Sequence, residues 1–352
     1  MRAAVVSAVY NEEKQIGLLL ESLLTQTRAP DEILLVDDGS TDQTAWVIEC
    51  CARHYPQVRL IRNTNQGPAA SRNIAWRAAQ SDIVIFTDGD CIPDHDWVEK
   101  LLAGFVAADE AAVPRSINRS EAEIGDVPTT VNQKEKQVGA IAGTYRTLNH
   151  ESILARFVGY EIDWRYRKVR GAVDAHGSYN LAIRKQVLEE MGGFDTSYKA
   201  PSGEDWDLTY RISRKYKIIF CPEAIVAHAH PEVFWSYMKN QVRRGFDRIK
   251  LYNDYPEKRG GDVYTGGLVK YQVLAAGLLI PSLGLLSLRG FYAIPLALVL
   301  FLFASCWNSF GFIFKRDPSA AFYGVRVQFF RCFAWAWGAA KGVLRFGYKL
   351  RT

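Results

Sequence analysis

The chain has 352 residues, 48% of them hydrophobic, and a formal net charge of +5. That length suggests two or three structural units, and so mild a charge is not the signature of a nucleic-acid-binding protein. The six cysteines (50, 51, 91, 221, 306 and 332) show neither a C-x-x-C pair nor a zinc spacing, which points to free thiols in a reducing compartment.

The N-terminal "MRAAVVSAVYNEEKQ" reads as a first strand ended by charge, not as a signal peptide, so the N-terminal part is expected in the cytoplasm. Short apolar runs at 3–9, 33–36, 58–61 and 83–86 predict four strands. Between them, 15–25, 42–54 and 68–80 carry apolar residues at helical spacing, and Pro68 stands at a favoured first helical position. Alternation of this kind predicts an α/β unit with a mostly parallel sheet, whose ligands sit beyond the carboxyl ends of the strands. The polar strand ends "YNEE" (10–13), "DDGSTD" (37–42), "RNTNQG" (62–67) and "DGD" (88–90) would then open on one edge.

Further on, 115–136 reads as a loop or irregular hairpin, 137–145 as a strand and 151–169 as an amphipathic helix. Residues 177–195 read as strand, helix and a Gly192-Gly193 stop; 204–216 are helical and 217–222 form a short strand. Seven cations between Lys239 and Arg259 precede the hydrophobic C-terminal part, as on the cytoplasmic face of a membrane. Residues 268–288 contain one charge, Lys270, and 291–314 none. Each approaches the roughly 20 residues needed to span hydrocarbon, and the intervening "RG" (289–290) would make a tight hairpin. Residues 319–345 interleave Arg326, Arg331, Lys341 and Arg345 with aromatic residues, fitting an interfacial helix or a third span. The expected organisation is a catalytic domain over 1–250, a linker over 251–267 and a membrane region over 268–352.

Four constellations carry chemistry. In "FTDGDC" (86–91), Asp88 and Asp90 follow the fourth strand and can present oxygen to Mg²⁺ or Mn²⁺. In "VDDGSTD" (36–42), Asp37 and Asp38 can accept from a base and a ribose, while Ser40 or Asp42 can cap the next helix. "NQGPAASRN" (65–73) offers Gly67 for a tight turn and Arg72, a side chain suited to phosphate. In "SGEDWDL" (202–208), Glu204 and Asp205 stand at a helix start, as caps or as a general base.

Together with "SAVYNEEKQIGLLLESLLTQT" and "GSYNLAIRK…GGFD", these stretches over about residues 3–250 resemble family 2 glycosyltransferases of the GT-A fold. The resemblance implies a nucleotide-sugar donor, most commonly a UDP-sugar. It implies that Asp38 reads the base with Tyr10 and Glu12 nearby, and that Gly67, Arg72 and Asp88 complete the nucleotide site. It implies a D-x-D pair in which Asp90 is the closer metal ligand and Asp88 the second. It makes Asp205 the catalytic base of an inverting transfer, with Gly177–Asn180, including Ser178 and Asn180, and Glu204 shaping the acceptor pocket. Processive members carry Q-x-x-R-W; here Gln241 and Arg244 fit, but Gly245 stands where the Trp would be. The resemblance thus favours transfer of one sugar to a hydroxyl of a lipid-linked or membrane-proximal glycan, by a protein anchored in the cell (inner) membrane with its catalytic domain in the cytoplasm. A processive synthase or a non-catalytic nucleotide-binding scaffold are the rivals. His228 and His230 are candidates for the site or for structural hydrogen bonding.

Overall fold

A computed structural model describes residues 1–112, 136–199, 201–262, 267–284 and 292–349. Apart from its last position, the expected loop over 115–136 lies outside the described residues, as does the "RG" at 289–290. The N-terminal alternation forms as expected: β1 Ala3–Val9, α1 Ile16–Leu24, β2 Glu32–Asp37, α2 Thr44–His54, β3 Val58–Arg62, α3 Pro68–Ala78 and β4 Ile83–Thr87. There follow β5 Cys91–Pro93, α4 Trp97–Ala112, β6 Val138–Thr147, α5 Ile153–Tyr166, β7 Ala172–Val173, β8 Asn180–Arg184, α6 Lys185–Met191, α7 Glu204–Lys215, β9 Lys217–His228 and α8 Phe234–Asp254.

One sheet runs β3-β2-β1-β4-β8-β6-β9-β5, with β7 also on β9. Its first four strands are parallel. β1, β2 and β4 read as near-continuous apolar runs because helices bury both faces, while the edge strand β3 is only partly buried. Ala4, Val6, Leu34 and Val36 face one core, and Ala3, Val5, Ile33 and Leu35 the other. The sheet is mixed rather than mostly parallel. β8 is antiparallel to β4 and β6, and β5 and β7 are antiparallel to β9, while β6 and β9 are parallel. The reversal positions the site. Asn180, the first residue of β8, pairs with Thr87, the last of β4, so the loop before β8 lies beside Asp88–Asp90. β9 continues past the expected 222 to His228, which pairs with Cys91.

The C-terminal expectation is corrected. Helices α9 Val269–Leu283, α10 Ala293–Phe314 and α11 Pro318–Phe346 form a layer packed on the α/β unit, and among the described residues no helix is long and apolar enough to cross a membrane. α9 has 15 residues, about 22 Å of helix against about 30 Å of hydrocarbon. α10 has 22 residues, but polar groups tie it sideways: Gln272 Nε2 donates to Ser305 Oγ, and Gln328 Nε2 to Ser309 Oγ. α11 is committed to the α/β unit through Arg331, buried and bidentate on Glu161 of α5 at 2.6 Å, with a third bond to the Tyr237 hydroxyl of α8 at 3.0 Å.

Glycines let α8 and α11 approach backbone to backbone. A Cβ at Gly245 would sit 2.6 Å from the Trp335 carbonyl oxygen, and one at Gly338 would collide with the Val242 carbonyl. The place where the processive motif has Trp is therefore filled by α11 itself, and Trp335 Nε1 donates to Gln241 Oε1 at 3.0 Å. Gly338→Val should lower the unfolding free energy by about 1–3 kcal/mol, the range for overpacking, as read by chemical denaturation. An unchanged midpoint would mean that this seam is not tight.

Candidate active site

The four parallel strands open their carboxyl ends on one edge. At β2, Asp37 Oδ1 accepts from Ser40 N at 3.1 Å. Buried Asp38 is already engaged: Oδ1 accepts from Asn63 Nδ2 and Gln66 N at 2.9 Å, and Oδ2 accepts from Gly67 N at 2.8 Å. It moulds the 63–67 loop at the sheet edge. Gly67 has φ +94°, and a Cβ there would sit 3.0 Å from the Lys199 carbonyl, so glycine is required. Tyr10 is exposed at the same edge, and Glu12 lies over Gly89. Burial, then the charges of Asp90 and Asp88, raise the Glu12 carboxyl to about 7.

Arg72 is nearly inaccessible. Its Nη1 meets Glu204 Oε1 and its Nη2 meets Asp88 Oδ1, each at 2.8 Å. Burial opposes its charge, but Asp88 and Glu204 outweigh that and hold it cationic. It therefore joins the D-x-D turn to the start of α7 and is not a free phosphate hand. Asp90 Oδ2 lies 3.4 Å from His228 Nε2, and one ligand atom from each of Asp90, Cys91 and His228 fits within 4.8 Å. Burial, then the Asp90 and Asp88 charges, push the Cys91 thiol well up, so it stays protonated. The oxygen of Asp90 suits Mg²⁺ or Mn²⁺, while the imidazole nitrogen of His228 suits a transition metal such as Mn²⁺ better than Mg²⁺; Asp88, with one oxygen on Arg72, is the more distant partner. Sequence reasoning left His228 undecided; its signal was the pair of histidines in "AHAH" (227–230), and only the structure puts His228 at the end of β9.

Asp205 begins α7. Its Oδ1 accepts from Trp206 N at 2.9 Å and its Oδ2 from Ser178 N at 3.4 Å, and a Cβ at Gly177 would lie 3.4 Å from Oδ2. Burial, then the neighbouring Glu204 charge, raise its carboxyl to about 7 in spite of Arg72. The structure thus brings the Ser178 amide to Asp205. Glu204 is turned away from any pocket: it is buried, accepting from Arg72 and from the Ser202 and Gly203 amides. Asn180 also does not reach the edge. It donates to the Thr144 and Ala224 carbonyls and accepts from Trp97 Nε1, fully buried. Gln241 is buried against Trp335, while Arg244 is exposed near buried His230. Burial, then the charges of His228 and Arg244, lower the His230 imidazole to about 3 and keep it neutral.

The family model described as glycosyl transferase family 2 matches residues 4–161. The putative glycosyltransferase EpsE of Bacillus subtilis is 35% identical over 291 residues, covering 77% of this chain and 98% of that protein. The chain belongs to glycosyl transferase family 2. Other family relatives include the probable glycosyltransferase YdaM of Bacillus subtilis (23% identical; 71% of this chain, 56% of that protein) and the pre-mycofactocin glycosyltransferase of Mycobacterium tuberculosis (28%; 72% and 49%). The chain spans about half the length of these two. The mannosyltransferase PcManGT of Pyrobaculum calidifontis, solved with GDP-Man and Mn²⁺, superposes with a TM-score of 0.58 at 19% identity over 98% of this chain and 88% of that one. The likeness identifies a GT-A-like fold in this family 2 chain.

Two outcomes follow for the acidic edge. Arg72→Met should cost about 3–5 kcal/mol of stability, because Glu204 is left buried without its cation; the double variant with Glu204→Gln should recover much of it in a denaturation cycle. Glu12 and Asp205 keep protons in the fold that the unfolded chain gives up near pH 4. In metal-free protein, stability should therefore fall as pH rises from about 4 to about 7. Glu12→Gln with Asp205→Asn should reduce that slope in pH-resolved melting curves, leaving the part that comes from Asp90, which burial also raises.

Proposed function

We propose that this chain is a metal-dependent, inverting glycosyltransferase. It moves one sugar from a nucleotide-sugar, expected to be a UDP-sugar, to a hydroxyl of a lipid-linked or membrane-proximal glycan. The observation that carries the reading is the placement of Asp205. It stands at the start of α7 on the same edge as Asp88-Gly89-Asp90, tied to that turn through Glu204 and Arg72. Its carboxyl, raised to about 7, is matched to removing a proton from a hydroxyl near neutral pH. As the acceptor oxygen attacks the anomeric carbon opposite the leaving diphosphate, Asp205 takes its proton and the configuration inverts. A divalent cation at Asp90 and His228 would supply neutralisation of the diphosphate charge.

Gly245, closed over by α11, supports single transfer over processive synthesis. The intact acidic set speaks against a non-catalytic scaffold. The outer faces of α9–α11 expose apolar side chains such as Leu274, Ile280, Leu300 and Leu344, which supports seating on the inner face of the cell membrane, with the α/β unit in the cytoplasm.

Purified chain with Mn²⁺ should release nucleotide from one member of a nucleotide-sugar panel and add a single sugar per acceptor. Asp205→Asn should lose about 10²–10⁴-fold in kcat while retaining nucleotide binding. The wild-type kcat/KM should rise with pH through an apparent pKa near 7, as Asp205 gives up its proton. Survival of transfer in Asp205→Asn, or growth of a long polymer, would sink the assignment.

A further inference from the structure

The helical layer contains a groove that the transfer chemistry does not use. It lies between α10 and α11, has a volume of about 520 Å³ and is lined by Phe303, Trp307, Phe310, Phe322 and Phe329, with Arg326 as its charged residue. Trp307 and Phe322 remain 63% and 64% exposed, so the aromatic walls are open to an occupant. Arg326 is exposed, unlike Arg331, the buried cation one turn further along α11. Arg331 is paired with Glu161, whereas Arg326 makes no ion pair among the described residues and stacks over the Phe234 ring at 5.2 Å. Phe234 begins α8, six positions after His228, so its backbone lies within about 20 Å of the His228–Asp90 corner. An aromatic trough with one unpaired guanidinium on the side leading to the active edge is complementary to a molecule with a long hydrocarbon tail and an anionic head. Its volume falls within the range of about 300–1,000 Å³ usual for sites that take compact organic ligands.

We propose that this groove seats the hydrocarbon tail of a lipid phosphate, with the phosphate on Arg326 and the head group extending toward the Asp205 edge. The inference rests on the reading of a lipid-linked acceptor and gives that acceptor a place. It distinguishes one bound lipid from general contact of the layer with a bilayer, because it requires the guanidinium and the aromatic walls together.

The test uses the full chain in non-ionic detergent, titrated calorimetrically with farnesyl phosphate, farnesol and inorganic phosphate. Farnesyl phosphate is expected to bind at least tenfold tighter than farnesol, with inorganic phosphate giving no saturable heat. Arg326→Glu should remove that preference, and Arg326→Gln should reduce it. Phe322→Ser should weaken both lipids at least fivefold with an unchanged melting midpoint. Binding that ignores both substitutions, or equal binding of alcohol and phosphate, overturns the groove and leaves general membrane contact. Nucleotide release from a nucleotide-sugar panel with Mn²⁺, measured on the same proteins, reports separately on the transferase reading. If release is intact and Arg326→Glu does not alter farnesyl phosphate binding, the groove alone fails. If lipid binding depends on Arg326 and no donor is turned over, the groove stands and the transferase reading fails.

Discussion

Arg72 lies beneath the edge of the sheet with one amino group on Asp88 and the other on Glu204, and the site is arranged around that buried guanidinium. Glu12, Asp88, Asp90, Glu204 and Asp205 crowd one edge, and like charges at this separation cannot all ionise cheaply out of water. Arg72 compensates two of them. That choice leaves Glu12 and Asp205 with raised proton affinity, and Asp90 too, which burial raises although it faces His228. The division of labour among the carboxylates follows from which of them the single cation reaches. It also ties distant parts of the chain: Asp88 follows β4 and Glu204 opens α7, 116 residues further on, yet both meet one side chain.

The first hundred residues were legible because their strands are buried on both faces and their helices on one, so burial is written directly into apolar spacing. The direction of β8 was not, since strand polarity depends on the path of the chain between elements and leaves no mark in composition. β5 is only three residues long, too short for any period. α8 was noticed for its cations, and its helical face went unread. In the candidate site, Asp90 and Asp205 were singled out from motif and position, and the structure places both on the edge beside Asp88 and Glu204. The inward turn of Asn180 and Glu204 could not, because an amide or carboxylate beside a motif looks the same whether it faces solvent or a buried carbonyl. His228 needed the register of β9 on β5, which brings it opposite Cys91.

The C-terminal segments show the same limit from the other side. Their hydrophobicity is real, but counting apolar residues cannot tell a face meant for lipid from one meant for Phe157, Glu161 or Val242. The small residues at 324, 338 and 342 of α11 mark its inner face, against α5 and α8.

The seam between α11 and α8 has a consequence for how the chain is made. Glu161 and Arg331 are 170 residues apart in sequence, and until Arg331 arrives Glu161 has no partner on α11. The α/β unit emerging from a ribosome would hold the apolar side of α5 and the glycine-notched face of α8 open until α11 has been synthesised. Contacts of such sequence separation form late and are slow to close. A nascent chain interrupted after α8 would therefore carry a nearly finished active edge on an unfinished core, exposed to aggregation and to quality control.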